Sequence, residues 1–290
     1  MTPTISPAEF DYIRDLVRRR SAIVLEDGKE YLAVSRLAPV ARGNGMATVS
    51  ELVGALRTSH PTSPLHDLVV DAMTTNETSF FRDVHPFECL RKEVLPALIE
   101  RNKLRRTLDI WCAASSSGQE PYSLAMLIRE YFPLIGGWAI RILGTDISPS
   151  MIEKARSGRY GQLEVNRGLP APLLVKYFHR AGAHWELDDS VRRMVRFELH
   201  NLAAPWPAMP PMDLVMMRNV LIYFDVPTRR ELLGKVRRLL RPEGYLLLGS
   251  AETTLDLEVD LERCPLGRTT WYRNPVGRRP VGVNGDGALP

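Results

Sequence analysis

"LDIWCAASSSGQEPYSLA", residues 108–125, has the make-up of a strand, a turn and a helix in succession. Its turn carries one glycine, Gly118, where a turn that cradles a pyrophosphate usually carries three so that the backbone can approach the phosphates. Ser115, Ser116 and Ser117 offer hydroxyls and N–H groups at the mouth of the helix, and Pro121 suits its first turn. Glu120 stands at the helix start, where the unpaired N–H groups attract an anion. With a carboxylate already in that place, a ligand carrying a cationic amino group and no phosphate fits better than a dinucleotide. S-adenosylmethionine is such a ligand. Glu120 would serve equally well as a simple complement to the helix dipole.

Outward from this stretch the pattern repeats. "RTLDIWCAA", "AIRILGTDI", "VRFELHNL", "DLVMMRNV" and "GYLLLGSAE" are apolar strands, and helix-length segments such as "PYSLAMLIREYF" and "PTRRELLGKVRRLL" lie between most of them. Such alternation predicts an α/β fold with a mainly parallel sheet covered on both faces, whose ligands sit beyond the carboxyl ends of the strands. Asp146 ends the second strand, before Ser148 and Pro149 open a helix; it can accept both ribose hydroxyls of a nucleoside, or merely cap the helix. After the third strand, Asn201 can hydrogen-bond an adenine edge while Leu202 packs on its face.

Residues 1–85 read differently. Phe10, Ile13 and Val17 form one stripe at helical spacing in "AEFDYIRDLVRRR". "KEYLAVSRLAPVAR" predicts a second helix, kinked or ended early by Pro39, and "TVSELVGALRT" and "SPLHDLVVDAMTT" two more, each opened by a capping Ser or Thr. At the end of this helical part "NETSFFRD", residues 76–83, sets Asn76, Thr78 and Arg82 around two phenylalanines. It is a candidate lid whose arginine can hold a carboxylate by its planar fork, or a surface turn.

Composition narrows the function classes. The chain of 290 residues is 44% hydrophobic and 25% charged, enough to bury a real core. No apolar run reaches the roughly 18 residues of a membrane helix, and the N-terminus lacks the build of a signal peptide, so direct membrane insertion is not expected and a cytoplasmic location is. Residues 1–85 carry 9 Lys and Arg against 11 Asp and Glu, and the remainder 29 against 23. No concentrated basic block points to nucleic acid. Cys89, Cys112 and Cys264 are far apart, which suggests core thiols and neither a disulfide framework nor a zinc site; no metal is expected.

"NETSFFRD", "CAASSSGQEPYSLAM", "LGTDIS", "FELHNL" and "MMRNVLIYFD" occur in the order and at about the spacing found in the chemotaxis receptor methyltransferases of the CheR type, and the chain resembles that family over residues 8 to about 273. The resemblance implies an S-adenosylmethionine-dependent, Rossmann-like methyltransferase sheet (residues 86–273) behind a helical substrate-recognition domain (residues 1–85). It implies methyl transfer to glutamate carboxylates on the cytoplasmic helical bundle of methyl-accepting receptors, giving glutamate methyl esters and S-adenosylhomocysteine for sensory adaptation. It places Asn76, Thr78, Arg82, Glu120, Asp146, Asn201, Leu202, Arg218 and Asn219 around the cofactor, with Tyr223 near the transferring methyl. Arg218 is suited to orienting the acceptor carboxylate and Tyr223 to hydrogen-bonding it; their structural uses would be a surface arginine and a half-buried aromatic. Arg36 and Arg42, among the arginines of the helical domain with Arg18, Arg19 and Arg20, are candidates for docking an acidic helical bundle.

Three features depart from the family pattern. Gln119 replaces a second acid before the Glu-Pro-Tyr-Ser run, and Trp111 replaces a smaller residue. A small antiparallel insertion is expected over residues 177–198, with a hairpin turn at "ELDD" that lacks the glycines of versions docking a receptor tail. The Pro- and Gly-rich residues 274–290 read as a disordered tail. Two other functions remain in view: a dinucleotide oxidoreductase, which the glycine-poor turn disfavours, and a catalytically silent S-adenosylmethionine-binding signalling module. The oligomeric state is open, with a monomer expected.

Overall fold

The computed structural model describes residues 5–255 and 257–275; the tail expected from residue 274 lies almost wholly outside the described residues. Its N-terminal part comprises helices α1 (Pro7–Ser21), α2 (Glu30–Gly43), α3 (Val49–Thr58) and α4 (Pro64–Met73). Ser6 and Glu9 form a capping box on α1, while Thr48 and Ser63 accept N–H groups at the starts of α3 and α4 as their positions predict. The stripe of Phe10, Ile13 and Val17 is buried against residues of the other three helices. Pro39 does not end α2, contrary to expectation. It lies on the exposed side, and burial of Ala33, Val34, Leu37 and Ala41 on the other outweighs the one hydrogen bond that proline removes.

Helix α5 (His85–Cys89), a π-helical turn (Leu90–Val94) and α6 (Leu95–Asn102) lead into the alternating region. It runs β1 (Thr107–Ala113), α7 (Gln119–Tyr131), β2 (Ala139–Asp146), α8 (Pro149–Ser157), β3 (Arg159–Gly161), α9 (Gln162–Asn166), α10 (Ala171–Tyr177), β4 (Phe178–Ala181), β5 (His184–Leu187), α11 (Asp189–Arg192), β6 (Val195–Leu199), β7 (Met212–Met217), α12 (Val226–Leu239), β8 (Leu240–Leu248), β9 (Glu262–Leu266) and β10 (Thr269–Arg273). The main sheet has the order β6-β2-β1-β7-β8-β10-β9. Its five predicted strands are parallel, and successive residues of β1 feed two cores: Leu108, Ile110 and Cys112 one, Trp111 and Ala113 the other. Strand order reverses at β1, so the crevice for a ligand opens beyond the carboxyl ends of β1, β2 and β7.

The last two strands were not foreseen. β10 runs antiparallel to β8, which brings the Gly267–Arg268 turn of the β9–β10 hairpin to the carboxyl end of β8. Cys264, expected in the core, is only half-buried on β9, whereas Cys89 and Cys112 are buried.

The small antiparallel sheet exists, with order β3-β5-β4, but its strands span residues 159–187 and β6 belongs to the main sheet. Its tight turn is not "ELDD". Glu186 and Leu187 end β5, Asp188 caps α11, and the β4–β5 turn is Gly182–Ala183, with Gly182 at a left-handed φ of 62°. The pair of aspartates suited a turn and a helix start equally well. The absence of glycine from "ELDD" therefore has no bearing on the hairpin.

At the amino ends of the strands, Asp109 on β1 and Asp213 on β7 are buried, 1% and 0% exposed. Asp213 accepts from Arg101 at 3.0 Å, Arg105 at 2.9 Å and the Asp109 N–H at 2.9 Å, and Asp109 pairs with Arg141 and Arg241. No described helix is long and apolar enough to cross a membrane. Asp213→Asn removes the charge that these half-exposed arginines surround. Urea denaturation is expected to show a loss of about 2–3 kcal/mol, the scale of charge-assisted hydrogen bonds to a buried group.

Candidate active site

A cleft of about 650 Å3, counted with its open mouth, occupies the predicted crevice. One wall is the serine turn. Ala114, Ser116 and Gly118 are left-handed, with φ of 54°, 49° and 89°. Only glycine suits position 118, because a Cβ there would stand 2.9 Å from the Phe197 ring and 3.0 Å from Ala155 Cβ. The turn's polar groups are largely engaged within the protein. Ser115 N donates to Thr145 O, Ser116 N to Asp146 Oδ2, Ser116 Oγ to Asn76 O and Ser117 Oγ to Gln119 Oε1. Gln119, the departure from the family pattern, is thus an internal tie. Trp111 is another, its indole N–H donating to Thr145 Oγ1 at 2.9 Å.

Asp146 closes the floor. Its two oxygens each accept one N–H, from Ser116 at 2.7 Å and Ser148 at 2.9 Å. Burial pushes its carboxyl above the ordinary value, and these N–H groups pull it back in part. A carboxylate has about four acceptor sites, so two bonds orient it and leave capacity for a pair of hydroxyls.

Arg218, at the end of β7, is no surface arginine: its side chain is 2% exposed. Nη1 donates to Glu120 Oε2 at 2.6 Å, and Nη2 to Asp83 Oδ2 at 2.6 Å and to Arg82 O at 3.2 Å. These bonds hold "NETSFFRD" against the sheet. Phe81 and Asp83 within it, and Val84 just after it, have positive φ of 45°, 67° and 44°, which is costly for residues with side chains and most so for the β-branched valine. Phe80 is buried edge-on to Tyr160 and Phe178, with ring centroids 5.0 and 5.7 Å away, and Phe81 N donates to Ser123 Oγ at 3.0 Å. The segment is a wall of the cleft, not a surface turn. Arg82 lines it and donates to Glu77 O at 3.1 Å.

A residue that sequence reading missed organises the opposite wall. Glu252, just beyond β8, accepts five N–H groups: those of Gly249 (2.6 Å), Asn219 (2.8 Å), Val220 (2.8 Å), Leu221 (2.7 Å) and Ile222 (3.3 Å). It caps the short 3-10 turn Leu221–Tyr223 and fixes Asn219 at a left-handed φ of 57°. Looking to the polar residues at strand ends would have found it, since "GSAE" ends the last parallel strand. Asp83 was missed as well, because nothing local marks it as a partner for a residue 135 positions away.

Of the expected residues, Asn76, Thr78, Arg82, Glu120, Asp146, Arg218, Asn219 and Tyr223 all line the cleft. Asn201 and Leu202 do not. Asn201 Nδ2 donates to Arg20 O at 2.6 Å and Oδ1 accepts from Ala203 N, because the turn after β6 folds onto the end of α1; Leu202 is buried in the core under Trp111. Arg36 is likewise engaged internally, donating to the carbonyls of Met73 and Thr74 that lead into the cleft. Arg18 and Arg20 pair with Asp225 and Asp67, while Arg19 and Arg42 are exposed.

The lining fits a small cationic nucleoside. Glu77 is paired with Arg167 and Glu120 with Arg218, while Asp146 is held by backbone N–H groups alone, so the spare acceptor oxygens of Glu120 and Asp146 are what the lining offers to an amino group and hydroxyls. Ser115 Oγ, Arg218 Nε and Asn219 Oδ1 are buried in the lining without a hydrogen-bond partner in the protein, capacity that a polar ligand can meet.

Comparison with known proteins agrees. The model "CheR methyltransferase, SAM binding domain" matches residues 76–268, and "CheR methyltransferase, all-alpha domain" matches residues 8–74. The chain belongs to the CheR methyltransferase family. It is 41% identical over 254 residues to chemotaxis protein methyltransferase 1 of Pseudomonas aeruginosa, covering 86% of this chain and 92% of that one. It is 38% identical to chemotaxis protein methyltransferase Cher2 of Pseudomonas putida, with 84% and 90% covered, and 39% identical to the chemotaxis protein methyltransferase of Vibrio parahaemolyticus, with 91% and 96% covered. The fold is accordingly an S-adenosylmethionine-dependent methyltransferase sheet behind an all-helical domain, carrying a small antiparallel sheet.

Glu252→Gln replaces one acceptor oxygen by a donor that faces N–H groups. It is expected to cost about 2 kcal/mol of stability and, in the folded fraction, to weaken S-adenosylhomocysteine binding roughly tenfold by loosening Asn219, as measured by calorimetry.

Proposed function

We propose that this protein transfers a methyl group from S-adenosylmethionine to glutamate side-chain carboxylates of chemotaxis receptors, giving glutamate methyl esters and S-adenosylhomocysteine. The observation that carries this reading is an acid-rich cleft with no histidine among its described lining residues, in a family of methyltransferases. Each carboxylate of the cleft is engaged by an arginine or by backbone N–H groups, which suits an acceptor that needs no general base. A glutamate carboxyl has an ordinary pKa of about 4.3 and is an ionised nucleophile near neutral pH.

When bound, S-adenosylmethionine supplies an electrophilic methyl on a sulfonium centre. Asp146 is placed to accept the ribose hydroxyls, and Glu120, held by Arg218, to accept the amino group with its remaining oxygen. Arg82 can take the amino-acid carboxylate, with Asn76 and Thr78 beside it. Because the Arg218 guanidinium is engaged by two carboxylates, orientation of the acceptor falls to the Tyr223 hydroxyl, and Arg218 acts by fixing Glu120 and Asp83. Rate then comes from alignment and exclusion of water. The names of the relatives, chemotaxis protein methyltransferases, support a receptor substrate, which makes the cytoplasmic helical bundle the partner and the cytoplasm the location. Exposed Arg42 and Arg19 remain available to meet it.

Calorimetry with S-adenosylmethionine, S-adenosylhomocysteine and NAD should show binding of the first two; preference for NAD overturns the reading. Labelled methyl should pass to a receptor cytoplasmic fragment as a base-labile ester. Binding without transfer would favour a silent signalling module. Tyr223→Phe is expected to slow turnover by roughly 5- to 30-fold, the loss of one hydrogen bond of about 1–2 kcal/mol, with cofactor affinity nearly unchanged.

A further inference from the structure

Arg218 separates two clefts. On the side away from the cofactor cleft lies a second space of about 950 Å3, bounded by α5, the end of β8 and the β9–β10 hairpin. Its lining carries Arg263 and Arg268, both exposed, and His85, in addition to Arg218. Its two acids, Asp83 and Glu252, are already engaged, Asp83 by Arg218 and Glu252 by five backbone N–H groups. No salt bridge involves Arg263 or Arg268 among the described residues; Arg263 reaches only Thr270 Oγ1, at 3.5 Å. The antiparallel return of β10 is what carries these arginines to the carboxyl-end side of the sheet, where the chemistry takes place.

We infer that this basic cleft is the docking surface for the acidic segment flanking the acceptor glutamate, with Arg263 and Arg268 as specificity-determining residues. The inference rests on the proposed glutamate acceptor and adds a surface to it. Charge complementarity identifies the occupant. The acids of the second cleft are engaged within the protein and its Arg263 and Arg268 pair with no acid among the described residues, so it suits a chain of carboxylates. An acidic segment there would lie against the arginine wall that the two clefts share. Both arginines are exposed on a hairpin, so replacing them leaves the core and the cofactor contacts intact.

The test has two arms. In the first, a fluorescein-labelled, glutamate-rich helical peptide is titrated by anisotropy against wild type and the Arg263→Ala/Arg268→Ala double variant at low and physiological salt. The variant is expected to bind roughly tenfold more weakly and to lose most of its salt dependence, while calorimetric affinity for S-adenosylhomocysteine stays at the wild-type value. In the second, methylation of a receptor cytoplasmic fragment should show KM raised by a similar factor with kcat little changed. Equal peptide affinity and equal salt dependence in the two proteins, or no peptide binding by wild type, overturns the docking surface. Absence of transfer by wild type overturns the proposed activity instead, and the anisotropy arm reads the cleft regardless of that outcome.

Discussion

One guanidinium shared by two carboxylates holds the cleft together. Arg218 leaves the end of a central strand, Glu120 stands in the first turn of α7, and Asp83 ends a segment from outside the sheet. A cation buried to this degree is tolerable only when paired, and each partner gains from the pairing. Glu120 is held in one orientation at a helix N-terminus. Asp83 is drawn onto a backbone whose left-handed φ values would otherwise relax. The wall formed by residues 76–83 therefore depends on contacts made far away in the chain. The cost of its strained backbone is met by the ion pair and by burial of Phe80.

The two ends of the sheet invert one another. At the amino ends, the buried carboxylates of Asp109 and Asp213 are surrounded by four arginines that reach water. At the carboxyl ends a buried arginine is surrounded by acids, and polar atoms of Ser115 and Asn219 stay unpaired. The same residue types give stability at one end and an incomplete site at the other. What differs is which charge is buried: carboxylates ringed by half-exposed arginines at one end, a guanidinium held by carboxylates at the other.

The parallel strands and the four N-terminal helices were legible from local signals (apolar runs, helical spacing and caps), and Glu120 and Asp146 from their places at strand and helix ends, whereas Asn219 and Tyr223 were placed at the cleft only by the family resemblance. The rest required knowledge of what comes together in space. Asn201 has a strand-end position like that of Asp146, yet its amide is claimed by the end of α1. Arg36 looks free in sequence, but the carbonyls of Met73 and Thr74 lie within its reach. Glu252 was visible as a polar residue at a strand end, but its partners lie some 30 residues upstream and only the fold brings them together. The β9–β10 hairpin was missed because its strands are short and half-exposed, with no apolar run to reveal them.

The single glycine of the serine turn follows from the same accounting. A phosphate-binding turn leaves its amides unpaired and its backbone bare, which requires several glycines. Here Asp146, Thr145 and Tyr160 engage the turn, and serine hydroxyls tie it to Asn76 and Gln119. Glycine is then needed only where Phe197 crowds position 118. Closing the turn in this way engages the N–H groups of Ser115, Ser116 and Gly118 within the protein and sets the carboxylates of Glu120 and Asp146 along the cleft. The fit to an amino group and hydroxyls is thus set by the bonds within the turn as much as by the charges around it.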